Sequence, residues 1–178
     1  GDSIENYKYV LIYVHGFKGF KDWGFVPYFA KKFAKMGIYV ITFNFSLNGI
    51  GDNLLEFTEI DKFAKNTFSR EVFELEFLLK MYKEGFFGKT DSKKLTLLGH
   101  SRGGAIATFC GDNDIVDKVA LWAAIAKLDR YTERQKEIWR KDGYFEIINT
   151  RTNQMMRLNV SLLDDIEANK NDRFSMQK

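Results

Sequence analysis

Residues 9 to 14, Tyr9-Val10-Leu11-Ile12-Tyr13-Val14, form an unbroken apolar, β-rich run that stops at His15-Gly16. Continuous rather than alternating hydrophobicity predicts a strand buried on both faces, as in a parallel sheet. From about 22 to 36 the period changes. Phe25, Phe29, Phe33 and Met36 fall on one helical face, while Lys31, Lys32 and Lys35 lie mostly away from it. Gly37 sits where a helix ends. A second strand follows over 38–43, then a long polar loop with Asn44, Asn48, Gly49, Gly51 and Asp52. Phe68, Val72, Leu75, Leu79 and Tyr82 repeat at steps of four and three, predicting a helix over 67–84 that Gly85 and Gly88 end. A third strand over 94–98 runs into Gly99, a short helix leaves from Ser101 toward Gly111, and a fourth strand covers 118–124. This alternation of strand and helix predicts an α/β fold with a mostly parallel sheet and right-handed crossovers.

Beyond residue 125 the alternation stops. Thr132-Glu133-Arg134-Gln135 has the spacing of a capping box and opens a charged helix to about Lys141. Residues 144–148 and 155–158 flank a polar turn and predict a hairpin, and Ser161 begins a last helix reaching about Lys170. The expected organisation is a core over 1–124 and an insertion over 125–178 packed over the sheet edge, not an independent domain.

The chemistry concentrates at Gly99-His100-Ser101-Arg102-Gly103, which fits the nucleophile-elbow pattern Gly-x-Ser-x-Gly. A buried strand enters it and a helix leaves it, the context that gives the pattern its meaning. A Cβ at Gly99 or Gly103 would collide with neighbouring backbone, and Gly104 extends the same relief. The turn would lift the Ser101 hydroxyl above the carboxyl end of the sheet, where ligands bind in such folds. A tetrahedral intermediate on Ser101 needs two N–H donors for its oxyanion. The backbone of Arg102, at a helix N-terminus, supplies one. The Phe17 N–H, on the loop after the first strand, is the candidate for the other.

His15-Gly16-Phe17, the loop Asn44–Gly51 and the elbow at 99–104 together resemble the α/β-hydrolase superfamily, most closely small serine esterases of the dienelactone-hydrolase and cinnamoyl or feruloyl-esterase type. The resemblance covers roughly 8 to 124. It implies a serine hydrolase that cleaves small-molecule carboxylic esters through an acyl-enzyme. It also implies that the insertion is a lid over the acyl pocket, with Trp139, Tyr144, Phe145, Met155 and Met156 among its apolar residues. A serine peptidase or acyltransferase of the same fold, and a non-catalytic binding protein, are the alternatives.

The chain departs from that family in one respect. The family order is Ser, then Asp or Glu, then His. The two histidines here, His15 and His100, both precede Ser101. His100 adjoins the nucleophile and is expected to point away from it, and the resemblance makes His15 a loop-holding residue. Carboxylates follow Ser101 (Asp112, Asp114, Asp117, Asp129, Asp164, Asp165, Asp172), but no imidazole does. The expectation is that the triad acid and base, and the strands presenting them, belong to a further polypeptide segment, which, or else a second copy, also completes the sheet.

Composition narrows the rest. The net charge of +3 is scattered, with no basic block interleaved with aromatics, so nucleic acid is not an expected partner. No apolar run approaches the ~20 residues of a membrane span. One cysteine, Cys110, excludes an internal disulfide framework and suits a reducing, cytoplasmic setting; it reads as a small buried residue. No leader is legible at the polar N-terminus. Gly88-Lys89-Thr90 lacks the earlier glycine of a phosphate loop, since position 83 is Lys83. Asp112-Asn113-Asp114 lacks the later Gly and Glu of a calcium loop. Asn44-Phe45-Ser46 and Asn159-Val160-Ser161 match the glycosylation pattern without a secretion context. No cofactor or metal is expected.

Overall fold

A computed structural model describes residues 3–170. Gly1, Asp2 and residues 171–178, with Asp172 among them, lie outside the described residues. The chain divides into two compact units, one of residues 1–44 and 72–125, the other of residues 45–71 and 126–178.

The first unit holds a four-stranded sheet in the order β2-β1-β3-β4, with β1 Tyr9–Val14, β2 Ile38–Thr42, β3 Lys94–His100 and β4 Lys118–Trp122. All three pairings are parallel, as the continuous apolar runs predict. β1 is central, and every residue from Val10 to Val14 is buried. On one sheet face Leu11 and Tyr13 pack with Val26 and Phe29 of α1 (Val26–Lys35), joined by Phe25, Phe33, Ile38, Val40 and Leu98. On the other face lies α4 (Arg102–Phe109), whose Ala105, Ile106 and Ala107 are buried. Cys110 is buried too, its Sγ 3.9 Å from the Val72 carbonyl, which brings the helix ending at Lys83 alongside α4.

Several boundaries move for local reasons. α1 starts at Val26 rather than near residue 22, because Gly24 takes φ +54°, outside helical space, and Pro27 suits a first turn. Met36 caps that helix and is 67% exposed instead of joining the Phe25–Phe33 stripe. β4 ends at Trp122 because Ala123 turns to φ +48°. The most exposed strand is also β4: Val119, Leu121 and Trp122 are all exposed.

The second unit contains a helix the polar loop concealed. Ile60–Ala64 forms α2, burying Phe63 and Ala64. Phe63 meets Phe57, and Gly49 lies against both rings at φ +88°. The first turn of α3 (Phe68–Lys83) belongs here as well. Its free N–H groups go to side chains, Ser69 N to Asp165 at 3.0 Å and Arg70 N to Thr67 Oγ1 at 3.2 Å. α5 (Glu133–Asp142) has both halves of the Thr132/Gln135 capping box, and Gly143 closes it at φ +77°. The predicted hairpin is β5 (Tyr144–Asn149) with β6 (Gln154–Asn159), antiparallel, followed by α6 (Val160–Ala168). Trp139 is completely buried against Tyr131 and Phe145. Among the described residues no helix is long and apolar enough to cross a membrane.

Candidate active site

Ser101 sits between the last residue of β3 and the first of α4, with φ +54° and ψ −119°. A residue with a Cβ takes this conformation only where its surroundings over-determine it, and such strain concentrates at functional positions. The surroundings here do so. A Cβ on Gly99 would lie 2.4 Å from Gly104 Cα, one on Gly103 2.2 Å from the Val14 carbonyl oxygen, and one on Gly104 2.4 Å from Ala124 Cβ. Backbone at Gly99 and Gly103, and the Ala124 methyl at Gly104, therefore leave no room for a side chain at these three positions. Ser101 is also held through its main chain: its N–H donates to Trp122 O at 2.9 Å, and its carbonyl accepts from Gly104 N at 3.0 Å and Ile125 N at 3.2 Å. Its side chain makes no capping bond to α4. Ser101 is partly exposed at the carboxyl edge of the sheet, at the N-terminus of an eight-residue helix.

The loop after β1 meets this turn directly. A Cβ on Gly16 would stand 3.0 Å from Ser101 Cβ and 3.6 Å from Arg102 N. The Gly16 carbonyl accepts from Gly19 N at 2.9 Å and from His15 Nδ1 at 3.0 Å. In a trans peptide the N–H points opposite to the C=O, so these two bonds aim the Phe17 N–H away from the His15 ring. Lys18 follows at φ +56°, a second strained residue in the same loop. Arg102 is only 5% exposed, and its guanidinium lies 5.6 Å from the centre of the Phe17 ring.

The two histidines occupy other places. His15 is buried beside Phe43, and its pKa is lowered from 6.5 to about 4. Burial is the main cause, and nearby Arg102 adds to it against the opposing Gly16 bond and Glu74. The His100 ring lies edge-on to Phe25 and Trp122, with ring centres 5.4 Å from each. Its pKa is also lowered by burial. Among the later carboxylates, Asp129 pairs with Lys136, Asp164 with Arg140, Asp114 with Lys83 and Asp117 with Lys94. Among the described residues no cluster of three or more His, Cys, Asp or Glu could hold a metal ion. Sequence reasoning missed Gly16 as a packing partner of the elbow and the Arg102–Phe17 stack. The first had a signal, a glycine directly after a buried strand; the second had none, since residues 17 and 102 are far apart in sequence.

No family model matches the chain. No curated protein matches it either. Solved structures do. Est1E from Butyrivibrio proteoclasticus, described with ferulic acid bound, aligns at TM-score 0.61 and 15% identity over 92% of this chain and 63% of its own. Alpha/beta hydrolase domain-containing protein 10 from mouse aligns at TM-score 0.60 and 16% identity over 89% of this chain and 60% of its own. The alpha/beta hydrolase GrgF from Penicillium sp. sh18 aligns at TM-score 0.58 and 19% identity over 91% of this chain and 58% of its own. The chain therefore spans about three-fifths of the length of these structures. Parallel strands in the order β2-β1-β3-β4, flanking helices and these likenesses agree: the chain has the α/β-hydrolase fold.

Proposed function

We propose that the protein is a serine hydrolase that cleaves carboxylic esters of small molecules through an acyl-enzyme on Ser101. The observation that carries this reading is the strained φ of +54° at Ser101, held by three glycines and partly exposed at a helix N-terminus. In the first step the Ser101 Oγ attacks the ester carbonyl carbon while a general base takes its proton. The oxyanion is stabilised by the N–H groups of Arg102 and Phe17. The carbon–oxygen bond to the alcohol then breaks, and the alcohol leaves with the proton from the base. Water repeats the sequence on the acyl-enzyme, releasing the carboxylic acid and restoring Ser101.

His15 is buried and engaged with Gly16, and His100 packs on Phe25 and Trp122, so neither is the base. The base and its carboxylate partner come from polypeptide outside these residues, which also pairs with the exposed β4. The ferulic acid described in Est1E favours an ester of a small aromatic acid as the substrate class. The lone buried thiol, Cys110, fits a cytoplasmic enzyme.

The test is p-nitrophenyl acetate hydrolysis by the intact natural polypeptide. A burst of p-nitrophenolate followed by slower turnover is expected, and Ser101→Ala should abolish the burst and lower kcat by roughly 10⁴ or more. Hydrolysis unchanged in Ser101→Ala removes the nucleophile assignment. No hydrolysis by a folded wild type favours a binding protein that keeps the fold without its base.

A further inference from the structure

We infer that the Arg102 side chain is a positioning residue that ties the two oxyanion donors together through the ring of Phe17. This rests on the reading of Ser101 as nucleophile and adds to it. The proposed donors are backbone groups on segments 85 residues apart in sequence, the β1–α1 loop and the first residue of α4. An oxyanion site works only if its donors stay at a fixed spacing before the charge develops. The Phe17 side of this pair is a loop carrying Lys18 at φ +56°, a conformation that needs support from outside.

Arg102 provides that support. Arg102 is buried, and its guanidinium stands 5.6 Å from the Phe17 ring centroid. That is within the range of cation–π attraction, which strengthens as the pair is desolvated. The same residue thus supplies one donor from its backbone and, through its side chain, holds the residue that supplies the other. Lys18 Nζ lies 5.7 Å from the same ring, but Lys18 is only half-buried, so its charge is better solvated than that of Arg102 and adds less.

Substituting the Arg102 side chain leaves its backbone N–H in place, so the strut can be removed without deleting a donor. The experiment is steady-state p-nitrophenyl acetate hydrolysis by the intact polypeptide carrying Arg102→Met, Phe17→Leu, Phe17→Tyr and the Arg102→Met/Phe17→Leu double change, each with its melting temperature. A cation–π contact of this kind corresponds to a roughly threefold to thirtyfold effect. We expect Arg102→Met and Phe17→Leu each to lower kcat by roughly tenfold with KM within about twofold, and the double variant to fall no further. Phe17→Tyr, which keeps the ring face, should recover most of the kcat that Phe17→Leu loses. Additive losses, a kcat unchanged in Phe17→Leu, or a loss in Arg102→Met matched by a lower melting temperature with Phe17→Leu unaffected would each overturn the strut while leaving Ser101 in place. A wild type with no hydrolysis at all overturns the Ser101 reading and the strut with it.

Discussion

Ser101 at φ +54° costs roughly 1–2 kcal/mol of backbone strain, and glycines make that conformation reachable. At Gly103 the neighbours a Cβ would meet are backbone carbonyl oxygens, those of Val14 at the end of the central strand and of His15 just after it, at 2.2 and 2.4 Å, which cannot step aside. Gly103→Val should therefore destabilise the fold by about 3 kcal/mol or more, whereas Ser101→Ala removes one oxygen and leaves stability nearly unchanged. Thermal melts of the two variants compare these directly, and equal melting temperatures would mean that the turn is not packed as described. The Gly-x-Ser-x-Gly spacing was readable because each glycine answers a steric demand of a strand-to-helix turn. The strain at Lys18 and Ala123 was not readable, since neither residue type announces a left-handed backbone. His15 supplies a pH prediction. Its pKa is about 4 when folded and near 6.5 when unfolded, so the folded state holds it neutral. Its contribution is fully present above pH 6.5 and is lost as pH falls toward 4, because the unfolded chain takes up the proton first. The loss amounts to about 3 kcal/mol across that window. Urea unfolding of wild type and His15→Gln at pH 7.5 and pH 4.5 should show the difference between them shift by that amount; parallel behaviour would contradict a buried neutral imidazole.

At the scale of elements, periodicity carried the sequence reading furthest where one face is fully buried. The α3 stripe Val72, Leu75, Leu79 and Tyr82 is buried throughout, and the two stretches flanking the polar turn do form the β5–β6 hairpin, pairing Ile147 with Met156 and Phe145 with Leu158. α2 escaped because five residues give a single turn of pattern, Ile60, Phe63 and Ala64, inside a polar stretch. The Thr132/Gln135 capping box was legible because it is a local contact, closed within four residues. Thr132→Ala removes the hydroxyl that accepts from Gln135 N and should lower stability by about 1 kcal/mol, while Thr132→Ser should restore most of it. Denaturant midpoints of the three proteins check this, and a Ser variant as weak as the Ala variant would assign the effect to the methyl group's packing instead.

At the scale of the whole molecule, local pattern had least to say. That residues 45–71 join 126–178 in one compact unit is a long-range fact, made by pairs such as Gln154 with the Phe57 carbonyl and Asn169 with Ser69. No periodicity within either segment encodes it. The absence of a histidine after Ser101, by contrast, was plain from the sequence, and the structure adds where the two existing histidines go. β4 presents Leu121 at 55% and Trp122 at 44% exposure on an edge with no neighbour among the described residues. Long apolar edges associate, so the polypeptide of residues 1–178 expressed alone should form higher-order species by light scattering, and Leu121→Lys should reduce them. A clean monomer for the unaltered polypeptide would show that this edge needs no cover.

The nucleophile is the centre of the account, and one measurement reaches it without knowledge of the substrate. The intact natural polypeptide is treated with a fluorophosphonate, digested and examined by mass spectrometry. A single phosphonyl adduct is expected, on the peptide containing Ser101, absent after prior denaturation and absent in Ser101→Ala. An adduct on any other residue, or labelling that survives Ser101→Ala, contradicts it.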